Sequence, residues 1–212
     1  MKRVTVFCGH YGSGKTNIAV NYAFYLKKCG KDVAIGDVDI VNPYFRTKDS
    51  EKELTDAGIG VISLPFANSN VDLPSLPSEV YSLVQNRARY AVFDVGGDDR
   101  GAYALGRYAP YILEENDYDM LFVTNFYRPL TQTPEDALAV LREIEEACKI
   151  PFTGIVNNSN LGTETTLADV LATDEKAAEL AKISGLPLVM TTATETICAD
   201  GMFPLKLQKK YF

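Results

Sequence analysis

The chain has 212 residues, 46% hydrophobic and 23% charged, a balance that supports a sizeable core and excludes a disordered polypeptide. Its formal net charge of −7 argues against a bulk electrostatic nucleic-acid binder, because counterion release rewards cationic chains. No apolar run reaches the roughly 18 residues of a membrane span, so no membrane association is expected.

The length fits one α/β domain over residues 1–212. From Met1 the sequence enters a strand pattern directly, so no signal peptide is expected. The four cysteines are dispersed and show no C-x-x-C spacing, which argues against an iron–sulfur or zinc site built from neighbours. Cys8 and Cys29 lie in apolar runs and read as buried thiols. A reducing, cytoplasmic setting fits these features.

In chain order, strands are predicted at Arg3–Cys8, Asp32–Asp37, Gly60–Leu64, Tyr90–Asp94, Asp119–Thr124, Phe152–Asn157 and Pro187–Thr191. Most are continuous runs of Val, Ile and Phe, as in strands covered on both faces. Helical patterns lie between them at Lys15–Cys29, Ser78–Ala88, Ala102–Glu114, Pro134–Cys148 and Glu164–Ser184. Gly30 is a stop for the first, and Thr133 with Pro134 a start for the fourth. Val41–Ser50 and Asn68–Pro77 read as loops, and Phe203–Phe212 as a last strand or a docked tail. The βα alternation predicts a doubly wound, mainly parallel sheet with helices on both faces, whose ligands bind beyond the carboxyl ends of the strands.

The first such position carries Gly9-His10-Tyr11-Gly12-Ser13-Gly14-Lys15-Thr16, a full match to G-x-x-x-x-G-K-S/T between a strand and a helix. Glycines let successive backbone N–H groups curl around phosphate oxygens, and the helix start adds its dipole. Gly9, Gly12, Ser13, Gly14, Lys15, Thr16 and Asn17 are therefore candidate nucleotide-binding residues. Lys15 would bridge the outer phosphates, and Thr16 would ligate Mg²⁺.

Phosphoryl transfer also needs carboxylates for the metal and for the nucleophile. Asp94 ends a strand and opens Asp94-Val95-Gly96-Gly97, a metal-site candidate in which the Gly97 N–H could sense a γ-phosphate. Asp37-Val38-Asp39 ends the second strand, with both acids on one side if the segment stays extended. One acid could support the metal shell and the other could orient water. Asp98 and Asp99 read as helix-capping residues.

Together, the cradle, the D-x-D pair, Asp94-Val95-Gly96-Gly97 and Gly154-Ile155-Val156-Asn157-Asn158 resemble the MinD/ParA/CobQ-type P-loop ATPases, the branch that includes the nitrogenase iron protein. The resemblance covers most of the chain. It implies ATP and Mg²⁺ as cofactors, Asp39 as the residue that positions the hydrolytic water, and Asp37 and Asp94 as supports of Mg²⁺. It implies Asn158 at the adenine edge, with Asn157 the neighbouring alternative, and places the loop after Val189-Met190-Thr191 near the base. A partner protein and a nucleotide-dependent homodimer follow by the same resemblance.

One position departs from it. Members with a deviant cradle carry a lysine after the first glycine that reaches a partner's nucleotide, and here that residue is His10. Arg46, Arg100 and Arg128 are loop arginines that could supply the charge. The leading expectation is an Mg-ATPase that switches a partner protein, with Asn42–Arg46 reporting the γ-phosphate. The alternatives are a small-molecule kinase or ligase of the dethiobiotin synthetase kind, with Tyr44, Arg46 and the Asn68–Pro77 loop as its pocket, and a GTP-binding regulator. Guanine readers usually carry N-K-x-D, and Asn157-Asn158-Ser159-Asn160 lacks its lysine and aspartate.

Overall fold

Runs of Val, Ile and Phe without polar alternation bury their side chains only in a sheet covered on both sides. A computed structural model, which describes residues 1–38, 50–63, 78–96 and 99–207, shows such a sheet. Its strands are β1 (Val4–Cys8), β2 (Val33–Asp37), β3 (Gly60–Ser63), β4 (Tyr90–Asp94), β5 (Tyr118–Thr124), β6 (Gly154–Asn157), β7 (Leu188–Thr194) and β8 (Phe203–Leu205). They lie in the order β3-β2-β4-β1-β5-β6-β7-β8, and every pairing is parallel.

The helices are α1 (Lys15–Lys28), α2 (Glu51–Asp56), α3 (Ser78–Gln85), α4 (Asp99–Gly106), α5 (Ala109–Glu115), α6 (Pro134–Cys148), α7 (Leu167–Leu171) and α8 (Asp174–Ser184). Alternation along β1 shows how the layers form. Val4, Val6 and Cys8 enter one core with residues of α3, α4, α5, α6 and α8. Phe7 enters a second core with Ile18, Tyr22 and Leu26 of α1 and Leu54 of α2.

The local stop and start signals act as expected. Gly30 takes a left-handed φ of 77° after α1. Its N–H bonds Lys27 O at 2.9 Å, and the Lys31 N–H bonds Leu26 O at 3.1 Å, closing a Schellman turn. Thr133 Oγ1 accepts from the Asp136 N–H at 3.1 Å and caps α6.

Two predicted helices are each broken in two. Pro110, in the first turn of α5, has no N–H for the Gly106 carbonyl and its ring would clash there, so Ala102–Glu114 divides at 107–108. Glu164–Ser184 starts instead at a Thr166–Asp169 capping box. It then breaks at Thr173, whose Oγ1 bonds back to Val170 O at 2.7 Å. Helix α2, which no apolar pattern predicts, has six residues and a single buried side chain, Leu54, too little to show a period. Cys29, expected to be buried, is exposed, because it sits at the end of α1 rather than on its inner face. Phe203–Leu205 is a strand, docked by Asn21, whose side chain exchanges hydrogen bonds with the Lys206 N–H and C=O, both at 3.0 Å.

Candidate functional site

β1 pairs with β4 on one side and β5 on the other, so the chain reverses its direction of growth beside β1. In an open parallel sheet this switch point opens a crevice beyond the strand ends. The segment Gly9–Gly14 fills that position and leads into α1. Gly9 lies so close to β5 that a Cβ there would sit 2.1 Å from the Val123 carbonyl oxygen. Gly14 holds a left-handed φ of 88°, and a Cβ on it would meet Asn158 Nδ2 at 2.2 Å. Both positions therefore require glycine.

Three features of this loop call for an anion. Gly14 is the N-cap of the 14-residue helix α1, with no side-chain cap and no acidic residue in the first turn. The first N–H groups and the positive end of the helix dipole are thus left for a ligand. Lys15 is 5% exposed, and among the described residues it has no carboxylate partner and its Nζ donates only to His10 O, at 3.4 Å. Ser13 Oγ is buried with no hydrogen-bond partner among the described residues. Burying a cation is costly unless an anion meets it, and a polyphosphate would supply that charge.

The carboxylates stand on the other side of β1. Asp37 and Asp94 are buried and opposite one another in register on β2 and β4, and the Val38 N–H bonds Asp94 O at 2.8 Å. Asp94 is also in register with Phe7 of β1, at the entrance to the cradle. Thr16, in the first turn of α1, is buried as well, and the side chains of Asp37, Asp94 and Thr16 all offer the oxygen donors that Mg²⁺ prefers. Asp39, Arg46, Gly97, Asp98, Asn42–Arg46 and the Asn68–Pro77 loop lie outside the described residues, as does the side chain of Arg100.

On the β5–β7 side the cradle opens into a cavity of about 720 Å³. His10, Lys15, Thr16 and Asn17 are among its lining residues. Leu130, Leu161, Val170, Ala193, Ile197 and Leu205 give it apolar walls that suit a planar base. The segment after Met190 thus lines the cavity. Burial pushes the Cys8 thiol, at the end of β1, up to about 12, so it stays neutral and unreactive at physiological pH.

Asn158 lines the cavity and also braces the cradle. Its Nδ2 donates to Ser13 O at 2.6 Å, and its Oδ1 accepts from Thr192 Oγ1 at 2.5 Å. One N–H and one lone pair of the carboxamide remain beyond these bonds. Asn157, the alternative, is fully buried and occupied, bonding Thr173 Oγ1 at 2.9 Å and the Ser159 hydroxyl at 2.7 Å. Thr192 was missed by the sequence reading. The signal was present in Thr191-Thr192, where the apolar run Leu188–Met190 of β7 turns polar.

Replacing Asn158 by alanine takes this donor from the Ser13 carbonyl and leaves the Thr192 hydroxyl with only its 3.5 Å bond to Asn157 O, at a cost of about 1–3 kcal/mol. Thermal unfolding and a nucleotide titration should show a lower Tm and affinity weakened about tenfold. Unchanged values in both would refute the brace.

A glycine-curled loop ending one central strand and opening a helix, around a buried lysine, defines a P-loop nucleotide-binding protein. The family model for CbiA, the CobQ/CobB/MinD/ParA nucleotide binding domain, matches residues 4–190, and the chain belongs to that family. No curated protein matches the sequence.

Among solved structures, the cell division protein FtsY of Thermotoga maritima aligns with a TM-score of 0.64 and 18% identity over 91% of this chain. The signal recognition particle receptor FtsY of Elizabethkingia anophelis, in complex with GDP, gives 0.58 and 15% over 92%. Signal recognition particle 54 kDa protein of Aeropyrum pernix, also with GDP, gives 0.59 and 16% over 91%. This chain spans 62%, 58% and 41% of those proteins respectively, and at such identities the likeness is one of fold.

Proposed function

We propose that the protein is an Mg-dependent ATPase whose nucleotide state switches its action on a partner protein. The observation that carries this reading is Lys15, a buried cation at a free helix N-terminus with no carboxylate partner among the described residues. Thr16, Asp37 and Asp94 would hold Mg²⁺, which when bound would neutralise charge on the outer phosphates. Asp39, two residues beyond Asp37, would orient the attacking water.

The lining of the cavity supports the adenine reading. Guanine presents N1–H and N2–H₂ donors that are best met by a carboxylate, and no Asp or Glu lines the cavity among the described residues. The GDP seen in the FtsY and 54 kDa protein structures makes GTP the competitor to test.

The test is displacement of a fluorescent nucleotide by ATP and by GTP, followed by phosphate release with and without Mg²⁺. The expected result is at least about tenfold preference for ATP and release that requires Mg²⁺. A preference for GTP would overturn the base assignment. Tight ATP binding with no phosphate release would overturn the ATPase.

A further inference from the structure

We propose that Arg128 supplies, from within the same chain, a cation to the phosphate tail of the bound nucleotide. The proposal rests on the nucleotide reading of the cradle and adds a residue that the cradle motif does not contain.

Arg128 is carried by a loop that is built to hold it still. The loop leaves β5 through Asn125, which is fully buried. The Asn125 Oδ1 accepts from the N–H groups of Tyr127 at 3.0 Å and Asn160 at 3.2 Å, and its Nδ2 donates to Asn160 O at 3.1 Å. Thr131 Oγ1 donates to Asn125 O at 2.7 Å, and the hydroxyl of Tyr127 to Asp169 O at 2.8 Å. The Arg128 N–H itself bonds Asn125 O at 3.0 Å, and Pro129 fixes the next φ.

From this base the guanidinium reaches the cradle. Arg128 Nε donates to Gly12 O at 3.0 Å, and the side chain packs against Gly12, where a Cβ would lie 3.3 Å from Nε. That bond uses one of five guanidinium N–H groups and leaves the four on the terminal nitrogens for a ligand. Arg128 lines the same cavity as Lys15 and Thr16. It makes no ion pair among the described residues, in a chain whose net charge is −7. A pin for the Gly12 carbonyl would need only a neutral donor. A permanent, planar cation bonded to Gly12 of the cradle and lining the cavity that Lys15 lines points to an anion as its second partner.

Three proteins test this: wild type, Arg128→Lys and Arg128→Gln. Arg128 is exposed, so both variants should fold, as melting curves will verify. ATP and AMP affinities are measured in Mg²⁺ between low and moderate ionic strength. The proposal expects ATP affinity to fall about tenfold or more in Arg128→Gln and less in Arg128→Lys. It also expects AMP affinity to change little and the salt dependence of ATP binding to flatten in Arg128→Gln.

ATP affinity and salt dependence in Arg128→Gln equal to wild type would overturn the proposal. Equal losses in both variants with unchanged salt dependence would also overturn it, since they would leave only the pin on Gly12. Wild type that binds neither nucleotide would overturn the underlying nucleotide reading, a failure distinct from the other two.

Discussion

Lys15→Ala should raise the dissociation constant for ATP by about a hundredfold to a few thousandfold, which in a titration at micromolar protein reads as loss of binding. Lys15 is 5% exposed and held at the first turn of α1, so its interaction with a phosphate would be made largely out of water. Removing one partner of a buried, hydrogen-bonded charge pair costs about 3–5 kcal/mol, which sets the expected factor.

A second readout separates function from structure. In the ligand-free protein Lys15 has no carboxylate partner among the described residues, so its removal should leave Tm unchanged or raise it. Excess Mg·ATP should then raise the Tm of wild type and not of the variant, since only a protein that binds ligand gains from mass action. A fall of many degrees in the ligand-free variant would make Lys15 a structural residue and remove the basis for the cradle reading.

Arg3→Ala should be the most destabilising change at a single polar residue of the fold. Arg3 is almost fully buried and ion-paired with Glu115 of α5. Its Nη1 also donates to Leu83 O at 3.0 Å and Arg89 O at 2.9 Å, and Nη2 to Val84 O at 3.3 Å. One guanidinium thus closes the C-terminal end of α3, the approach to β4 and the end of α5. Alanine would leave a buried carboxylate and several carbonyls without partners, a cost of about 3–5 kcal/mol. In a domain of this size that is a drop of about 10 °C in Tm.

The double variant Arg3→Met, Glu115→Leu should recover much of the loss, because it removes the stranded charge with its partner. Equal Tm for wild type and Arg3→Ala would refute this account. Because Arg3 lies at the far end of β1 from the cradle, ATP affinity measured well below the melting transition should be unchanged in the folded Arg3→Ala fraction.

The sequence showed those parts of the molecule whose physics is local. The cradle could be read because strand, glycines, lysine and helix follow one another within 30 residues, and each residue type has a backbone or charge reason to be there. The parallel sheet could be read because buried strands have no polar alternation. Gly30 and Thr133 act through hydrogen bonds that span three to five residues and were legible for the same reason.

What could not be read depends on distant pairs. Arg3 appears in the sequence as the first residue of a strand, and its partners lie 80 to 112 residues further on. The role of Asn158 as a brace requires Ser13, 145 residues earlier, and Thr192 on β7. Arg128 was visible only as one of several loop arginines, and its bond to Gly12 joins residues 116 apart. The breaks at Pro110 and Thr173 had local causes, but the apolar spacing on either side of them still fits one continuous helix.

The most direct test of the central claim is titration calorimetry of the wild-type chain with a slowly hydrolysed ATP analogue in Mg²⁺, with Lys15→Ala as control. The account predicts one site per chain with micromolar or tighter affinity in the wild type and no measurable heat in the variant. Absence of binding to the wild type at millimolar analogue, or equal affinity in the two proteins, would contradict it.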